Sequence, residues 1–501
     1  MQAPDWTSRA AALPFDGRAF IDGSFAETDA AAALQTHNPA DGRPALRFAA
    51  AGAEGVNRAV ASARAAFDDG RWSRLGPRAR RQALLALADG IEADGESLAL
   101  CDVLDVGKPI SGALFEVRIA AAFIRYYAEA LDKHPTGVVA PSCAQTMEVQ
   151  VRRPRGVVAA ITPWNYPLVN TCLKIGPALA AGNAVIVKPS SVSPRSAERL
   201  ATLALKAGLP PGVLNVVQGN AATGDALVRH PGVDMVTFTG STPTGRALMA
   251  ASGGSSLKPL LLECGGKNRE FVLGDMASSD LDGVAMNIVM GAFANCGQLC
   301  VARSALYLHK DVYDALLDRI VGVAGSLRAG LPLDAATRYG AMATARQRDI
   351  ALGYVEAGLA QGGQLVVDGR DARGLPEGGF WLQPTVFTGL SPHSPLQHEE
   401  IFGPVLSVNR FDSVDEVLAL ANQGDYGLAA TLWTRDIKHA GDISSRLQVG
   451  KVKVMATPVP TEGAGLSQSA EPARQSGFGI EGGLKGMESY MRQQVVEYAF
   501  G

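Results

Sequence analysis

Between residues 156 and 238, four short apolar runs alternate with segments of helical pattern. The runs are Gly156 to Ile161, Ala184 to Val187, Leu214 to Val217 and Val233 to Phe238. Runs this short, with no polar alternation, suit strands buried on both faces. Helices are expected between them, from about Pro194 to Ala207, with Ser193 as cap and Pro194 in the first turn, and from Ala222 to Arg229. Alternating strand and helix restricts this part of the chain to a parallel, doubly wound sheet. Such sheets bind ligands at the carboxyl ends of their strands, so a nucleotide-binding fold is expected here.

The 501 residues exceed what one core can organise and call for two or three domains. Residues 53–133 read as mostly helical, with leucines at helical spacing from Arg78 to Ile91. A second α/β unit starts near Glu263, with helices at Asp280–Phe293 and Val312–Leu327 and a strand at Ala305–Leu308. Met147 to Arg152 and Gln493 to Phe500 alternate with period two and read as half-exposed strands. Their edges suit contact between subunits, or else a hairpin packed on its own subunit.

A net charge of -3 gives no electrostatic reason for nucleic acid or an anionic membrane as partner. The N-terminus lacks a signal-peptide core, and no apolar run is long enough to span a bilayer. Six cysteines and seven histidines show no disulfide or metal-ligand spacing, so a reduced, cytoplasmic setting and no metal are expected.

Asn295-Cys296-Gly297-Gln298-Leu299-Cys300 ends a small-residue segment in a thiol, and Leu262-Glu263-Cys264-Gly265-Gly266-Lys267 sets an acid on a glycine-flanked turn. A thiol without a neighbouring histidine needs another base, and such a carboxylate can serve, directly or through water. Taken alone, either segment is weak evidence, since a single cysteine is more often a packing residue. Pro163-Trp164-Asn165-Tyr166-Pro167 follows the first strand and presents the Asn165 amide from a rigid turn, suited to an oxyanion or to bonding its own backbone. Lys188 ends the second strand, and Phe238-Thr239-Gly240-Ser241 leads into a helix whose free N–H groups favour phosphate. The spacing is not the G-x-G-x-x-G fingerprint.

In order, Trp164-Asn165, Lys188-Pro189-Ser190, Phe238 to Ser241, Glu263 with Gly265-Gly266-Lys267, Gly297 to Cys300 and Glu400-Ile401-Phe402-Gly403-Pro404 resemble the aldehyde dehydrogenase superfamily. The resemblance runs from Phe20-Ile21-Asp22-Gly23 to Ser476-Gly477, and Leu104 to Ile110 and Trp164 to Lys188 look most like members acting on aldehydes derived from amines and polyamines. It implies a Rossmann-like parallel-sheet cofactor domain (1–128 and 151–262) and a second α/β catalytic domain (263–455). An entrance loop returning to the cofactor domain (456–485) and a small β oligomerisation extension (129–150 and 486–501) complete the α/β fold. A homodimer or homotetramer is implied.

The resemblance also implies the chemistry. Cys300 would attack the aldehyde, giving a thiohemiacetal held by Asn165 and the Cys300 N–H; hydride transfer to NAD or NADP would leave a thioester, and Glu263 would activate the hydrolytic water. Glu481 would relay protons with Lys174. Lys188 and Glu400 would hold the two riboses, with Phe402 at the nicotinamide end, and Trp164 and Ser241 along the adenine side and pyrophosphate. Ile161, Thr162, Ser190, Ser191 and Gly240 complete the implied cofactor set. Cys264 and Cys296 are competing thiols without the Gly-Gln lead-in of Cys300.

The chain departs from the family at Met455, where Asn is usual, and at Ser469 to Ala473, which replaces Pro-Phe-Gly-Gly, in a region that in the family covers the aldehyde's entrance. The long irregular segment from Pro458 to Arg474 is expected to set aldehyde selectivity, with Glu462 or Glu471 available to a cationic group. Asn170 and Leu173 replace larger apolar residues and predict a wider, more polar tunnel. Ser191 replaces a Glu of NAD-restricted relatives, which predicts use of both cofactors because the repulsion of a 2′-phosphate is gone. Two alternatives are coenzyme A as thioester acceptor and a non-catalytic protein on the same fold. Glu263 argues for water over coenzyme A, and the intact Cys300, Glu263 and Asn165 argue against a non-catalytic role.

Overall fold

The computed structural model describes residues 4–134, 137–139, 143–458 and 465–500. Its largest sheet has eight strands, ordered Ser24–Ala26, Ala19–Ile21, Leu214–Val216, Ala184–Lys188, Val157–Ile161, Met235–Thr239, Leu260–Glu263 and Gly477–Phe478. The central five run parallel, and antiparallel strands close both edges. Strand Val157–Ile161 is buried along its whole length, as its unbroken apolar run requires. Its even positions, Val158 and Ala160, pack with helices Pro77–Ala93 and Pro167–Ala180, while Val157, Ala159 and Ile161 pack with helix Ala53–Asp68. The sheet is therefore a Rossmann-like α/β layer covered on both faces.

A second sheet of seven strands is ordered Gln364–Val367, Thr385–Thr388, Val405–Phe411, Ala305–His309, Arg269–Val272, Ala429–Trp433 and Lys451–Met455. All neighbours are parallel except the Gln364–Val367 edge. Val272, Leu306 and Leu308 pack with helices Leu281–Phe293 and Tyr313–Ser326; Phe271, Ala305 and Tyr307 face helices Val414–Ala421 and Ile437–Arg446. Glu263 belongs to the first sheet, and the second begins at Arg269.

The two period-two segments pair with each other. Thr146–Pro154 and Met491–Ala499 form an antiparallel ladder from Thr146 opposite Ala499 to Pro154 opposite Met491, and Gly137–Val139 adds a third strand. One expected cap is corrected. The helix expected to start with Pro194 in its first turn spans Arg195–Lys206, with Pro194 at the cap position and no side-chain cap bond; the Ser193 amide instead donates to the Ser190 carbonyl at 3.1 Å. No helix among the described residues is long and apolar enough to cross a membrane.

Candidate active site

The site lies where the strand ends of the first sheet meet loops of the second. The register sets Ile161 beside Lys188 and Thr239 beside Glu263, so these residues emerge from one edge. The segment before Cys300 folds in an uncommon way. Asn295, Cys296 and Gly297 take left-handed φ values of 49°, 56° and 69° in succession. Only glycine adopts this region freely, and a Cβ on Gly297 would collide with the Gly403 carbonyl. Gln298, fully buried, locks the turn: its Nε2 donates to Asn295 O at 3.0 Å and its Oε1 accepts from Ala343 N at 3.0 Å.

Beyond that turn Cys300 is half-buried and Cys296 is buried in the second core, its Sγ 3.5 Å from the carbonyls of Gly340 and Ala341. Cys264 is buried against Gly245. Burial, with Glu263, Glu400 and Glu481 adding to it, pushes the Cys300 thiol up to about 12, so a proton must leave before it attacks. Its own backbone N–H partly offsets the rise. The loop after Glu263 packs against Cys300. A Cβ on Gly266 would lie 2.5 Å from the Cys300 carbonyl, which accepts from Asn268 Nδ2 at 2.7 Å. Burial raises the Glu263 carboxyl well above the usual range, the Glu481 charge raises it further, and Lys174 opposes both.

Lys174, with no exposed surface, pairs with Glu481 at 2.8 Å and donates to Thr237 Oγ1 at 3.2 Å. Asn165 is buried, and its Nδ2 donates to Gln298 O at 2.9 Å, which ties it to the Cys300 turn with its second N–H uncommitted to that bond. The Asn165 carbonyl receives Lys108 Nζ at 3.1 Å and Asn295 Nδ2 at 3.0 Å.

The residues at the strand ends fit a dinucleotide. Helix Thr242–Gly253 starts at Ser241 with no side-chain cap bond, leaving N–H groups for an anion. Thr239 Oγ1 is buried without a partner among the described residues. Lys188 Nζ donates to Pro189 O and Gly219 O, each at 2.9 Å, and burial lowers it to about 8, which keeps an orientable donor at the strand end. The Gly240 N–H is already given to Glu263 O at 3.0 Å, so this glycine contributes close approach rather than a donor. Glu400 accepts from Gly266 N at 2.9 Å. Ser191 lines a cavity of about 460 Å³ together with Gln35, Thr36, His37, Thr344 and Arg346. Thr162 N donates to Lys188 O at 3.1 Å, and Ser190 Oγ accepts from Val192 N at 3.2 Å.

Trp164 and Phe402, given opposite ends of the cofactor above, are edge-to-face neighbours with ring centroids 5.3 Å apart. Phe402 has a φ of 52° and is held by Gln347, whose Nε2 bonds Ile401 O and Phe402 O. Met455, expected beside the entrance, ends strand Lys451–Met455 with its side chain buried in the second core. Asn170 Nδ2 is bonded to Tyr166 O at 3.0 Å. Exposed Glu471 accepts from Gly479 N at 3.2 Å, while Glu462 lies outside the described residues. The sequence reading missed Lys108, Asn268, Gln298 and Gln347, although Gly107-Lys108-Pro109 and Lys267-Asn268 sit within or beside motifs it used.

Residues 25–496 match the model of the aldehyde dehydrogenase family. The chain is 43% identical over 451 residues to the NADP/NAD-dependent aldehyde dehydrogenase PuuC of Escherichia coli, covering 90% of each chain. It is also 43% identical over 452 residues to an aminoacetaldehyde dehydrogenase of Pseudomonas aeruginosa, again covering 90% of each. Among solved structures, a gamma-glutamyl-gamma-aminobutyraldehyde dehydrogenase from Burkholderia cenocepacia superimposes with a TM-score of 0.94 at 41% identity over 99% of both chains. An indole-3-acetaldehyde dehydrogenase complexed with NAD+ gives 0.95 at 38%, with the same coverage. The fold, the thiol–carboxylate site and these likenesses agree: the chain belongs to the aldehyde dehydrogenase family and is an NAD(P)-dependent enzyme that oxidises an aldehyde to its carboxylic acid.

Proposed function

We propose that Cys300 is the nucleophile, Glu263 the base for hydrolysis and Asn165 the oxyanion donor, acting on an amino-aldehyde or similarly polar aldehyde. The observation that carries this reading is the packing of the Glu263–Gly266 loop on Cys300, with the Gly266 Cα too close to the Cys300 carbonyl for any side chain. Bound NAD or NADP supplies the hydride acceptor and, in its oxidised form, a positive ring. Burial holds the proton on the Cys300 thiol, so sulfur has to lose it before it adds to the carbonyl carbon. Sulfur then adds to the carbonyl carbon, and the oxygen gains charge beside the Asn165 amide and the Cys300 N–H. Once hydride has left, the carbon is a thioester. Glu263 takes a proton from water as the water attacks, and the carboxylic acid departs from sulfur. The Glu481–Lys174 pair, coupled by charge to Glu263, then carries that proton away.

A polar aldehyde is supported by relatives named for aminoacetaldehyde and gamma-glutamyl-gamma-aminobutyraldehyde, and by Asn170 and Leu173 on the helix that follows Asn165. Both cofactors suit the Ser191 cavity, which no carboxylate lines and Arg346 does. A division into cofactor and catalytic domains is supported by the two separate sheets, with the boundary between Glu263, which ends strand Leu260–Glu263, and Arg269, where the second sheet begins. Assembly into a homodimer or homotetramer is supported by two free sheet edges that carry exposed apolar residues, Val495 and Tyr498 on Met491–Ala499 and Val454 on Lys451–Met455. Six unpaired cysteines suit the cytoplasm.

The test is a panel of aliphatic, aromatic and amino-aldehydes assayed with NAD and NADP, with and without coenzyme A. Free acid as product and highest kcat/KM on amino-aldehydes are expected. A requirement for coenzyme A would overturn the hydrolytic reading, and a preference for unsubstituted aliphatic or aromatic aldehydes would overturn the substrate class.

A further inference from the structure

Lys108 follows helix Gly95–Val106 and its left-handed cap Gly107, and Glu116 lies two turns into helix Ile110–Ala130. The Lys108 side chain is 2% exposed, and its ammonium meets three groups: the Glu116 carboxylate, the Asn165 carbonyl at 3.1 Å and the face of the Tyr166 ring at 4.2 Å. An ammonium buried this deeply is tolerated only when its three N–H donors are satisfied, and these three partners satisfy them. Two of the three belong to the turn that carries Asn165. Asp102 adds a further negative charge near the pair, and burial pushes the Glu116 carboxyl up to about 7.

Asn165 is gripped at both ends. Its carbonyl is filled by Lys108 and Asn295, and its amide is tied to Gln298 two residues before Cys300. Asn295 opens the left-handed turn and Gln298 caps it, so displacement of the Asn165 carbonyl would shift both the amide and the approach to the nucleophile. We propose that Lys108, held by Glu116, is a positioning residue that fixes the Asn165 turn so that its amide keeps station beside Cys300. Lys108 touches neither substrate nor sulfur in this role. The proposal rests on the reading of Asn165 as oxyanion donor.

A double-mutant cycle in the full-length enzyme tests it. Because Lys108→Met alone leaves a buried carboxyl unpaired, the neutral double variant Lys108→Met/Glu116→Gln is made beside it. Each is combined with Asn165→Ala. The readouts are the single-turnover rate of reduced nicotinamide formation at saturating aldehyde and the equilibrium Kd for NAD by protein fluorescence. Losing the positioning pair should slow the single turnover about tenfold or more while Kd stays within about twofold, since misplacing one oxyanion donor costs part of its full value. In the Asn165→Ala background the same changes should cost less than about twofold, because nothing remains to position. Equal losses in both backgrounds, or no loss in either, would overturn the proposal. A change in Kd as large as the change in rate would also overturn it, because it marks a general disturbance of the fold. Should Asn165→Ala alone leave the single turnover unchanged, the oxyanion reading itself fails.

Discussion

The Gly266 amide donates to the Glu400 carboxylate at 2.9 Å, across 134 positions of sequence. The bond joins the loop after Glu263 to a residue implied at one of the two riboses, and the same glycine abuts the Cys300 carbonyl. Neither Gly265 nor Gly266 has a left-handed φ; each is glycine for want of space, Gly265 against the Glu400 carboxylate and Gly266 against Cys300. Gly266→Ala should therefore displace the nucleophile's backbone. Turnover is expected to fall by about two decades or more, with the fold retained, because sub-ångström placement governs such reactions. A crystal structure of the variant with Cys300 unmoved, or turnover near wild type, would reject the explanation.

Glu400 also predicts a pH dependence. Burial lifts its carboxyl to about 7, against the Gly266 bond and the Lys267 charge, which lower it. Lys267 is itself depressed to about 7, chiefly by burial, and Cys264, Cys300, Tyr354 and Tyr426 are the other titratable groups that feel Glu400. A raised carboxyl is protonated below its value and accepts ribose hydroxyls fully only above it. NAD should bind about tenfold more weakly at pH 6 than at pH 8, the ratio set by the ionised fraction of a group near 7. Glu400→Gln should flatten that profile. A slope unchanged in the variant would assign it to Lys267 or another neighbour.

Cys300→Ala should abolish turnover, by about three decades or more, while NAD still binds. Cys296→Ala should keep most of the activity, because that sulfur faces Gly340 and Ala341 inside the second core. Its cost should appear as a lowered Tm. Turnover above about a tenth of wild type in Cys300→Ala would move the nucleophile elsewhere.

In Glu263→Gln, hydride transfer precedes the step that needs a base. One rapid turnover of reduced nicotinamide followed by slow release is expected, with the acyl group retained on Cys300 and visible as added mass of the intact protein. Unchanged steady turnover would remove Glu263 from the role of base.

The buried strands were legible because Val157 to Ile161 carries no polar residue to place at a surface and its counterparts carry only isolated ones, such as Asn215 and Thr237. Position at a strand end then brought Asn165, Lys188 and Glu263 to one edge. The left-handed turn at Asn295 and Cys296 was not legible, since Asn tolerates positive φ without requiring it and Cys does not favour it; the turn is held by Gln298 bonding across to Ala343. Lys108 escaped for a related reason. A lysine in sequence looks solvated, and only the packing of helix Ile110–Ala130 beside the Asn165 turn buries it with Glu116. Met455 reads as part of the entrance in sequence, yet strand alternation turns it into the core. Glu471, offered above to a cationic substrate, is exposed and already accepts from Gly479, while Glu462 lies outside the described residues.

Cofactor choice turns on the cavity at Ser191. Its lining includes His37, Thr344 and Arg346 and no carboxylate, so a 2′-phosphate placed there meets hydroxyls and a guanidinium rather than a like charge. Lys188 spends two of its donors on Pro189 and Gly219. Arg346, which lines the same cavity, would supply the attraction. Ser191→Glu should weaken NADP binding at least about tenfold, equivalent to about 1.4 kcal/mol, and leave NAD within about twofold. Arg346→Ala should lower NADP affinity in the same direction without moving NAD, and the two changes together should add less than their sum because both act on one phosphate. Calorimetric titration with NAD, NADP and 2′,5′-ADP reads these effects without relying on turnover. A wild-type preference for NAD beyond about a hundredfold, roughly 2.7 kcal/mol, would reject dual use outright. An Arg346→Ala effect equal on both cofactors would place that arginine at the shared part of the dinucleotide and leave the phosphate to Ser191 alone.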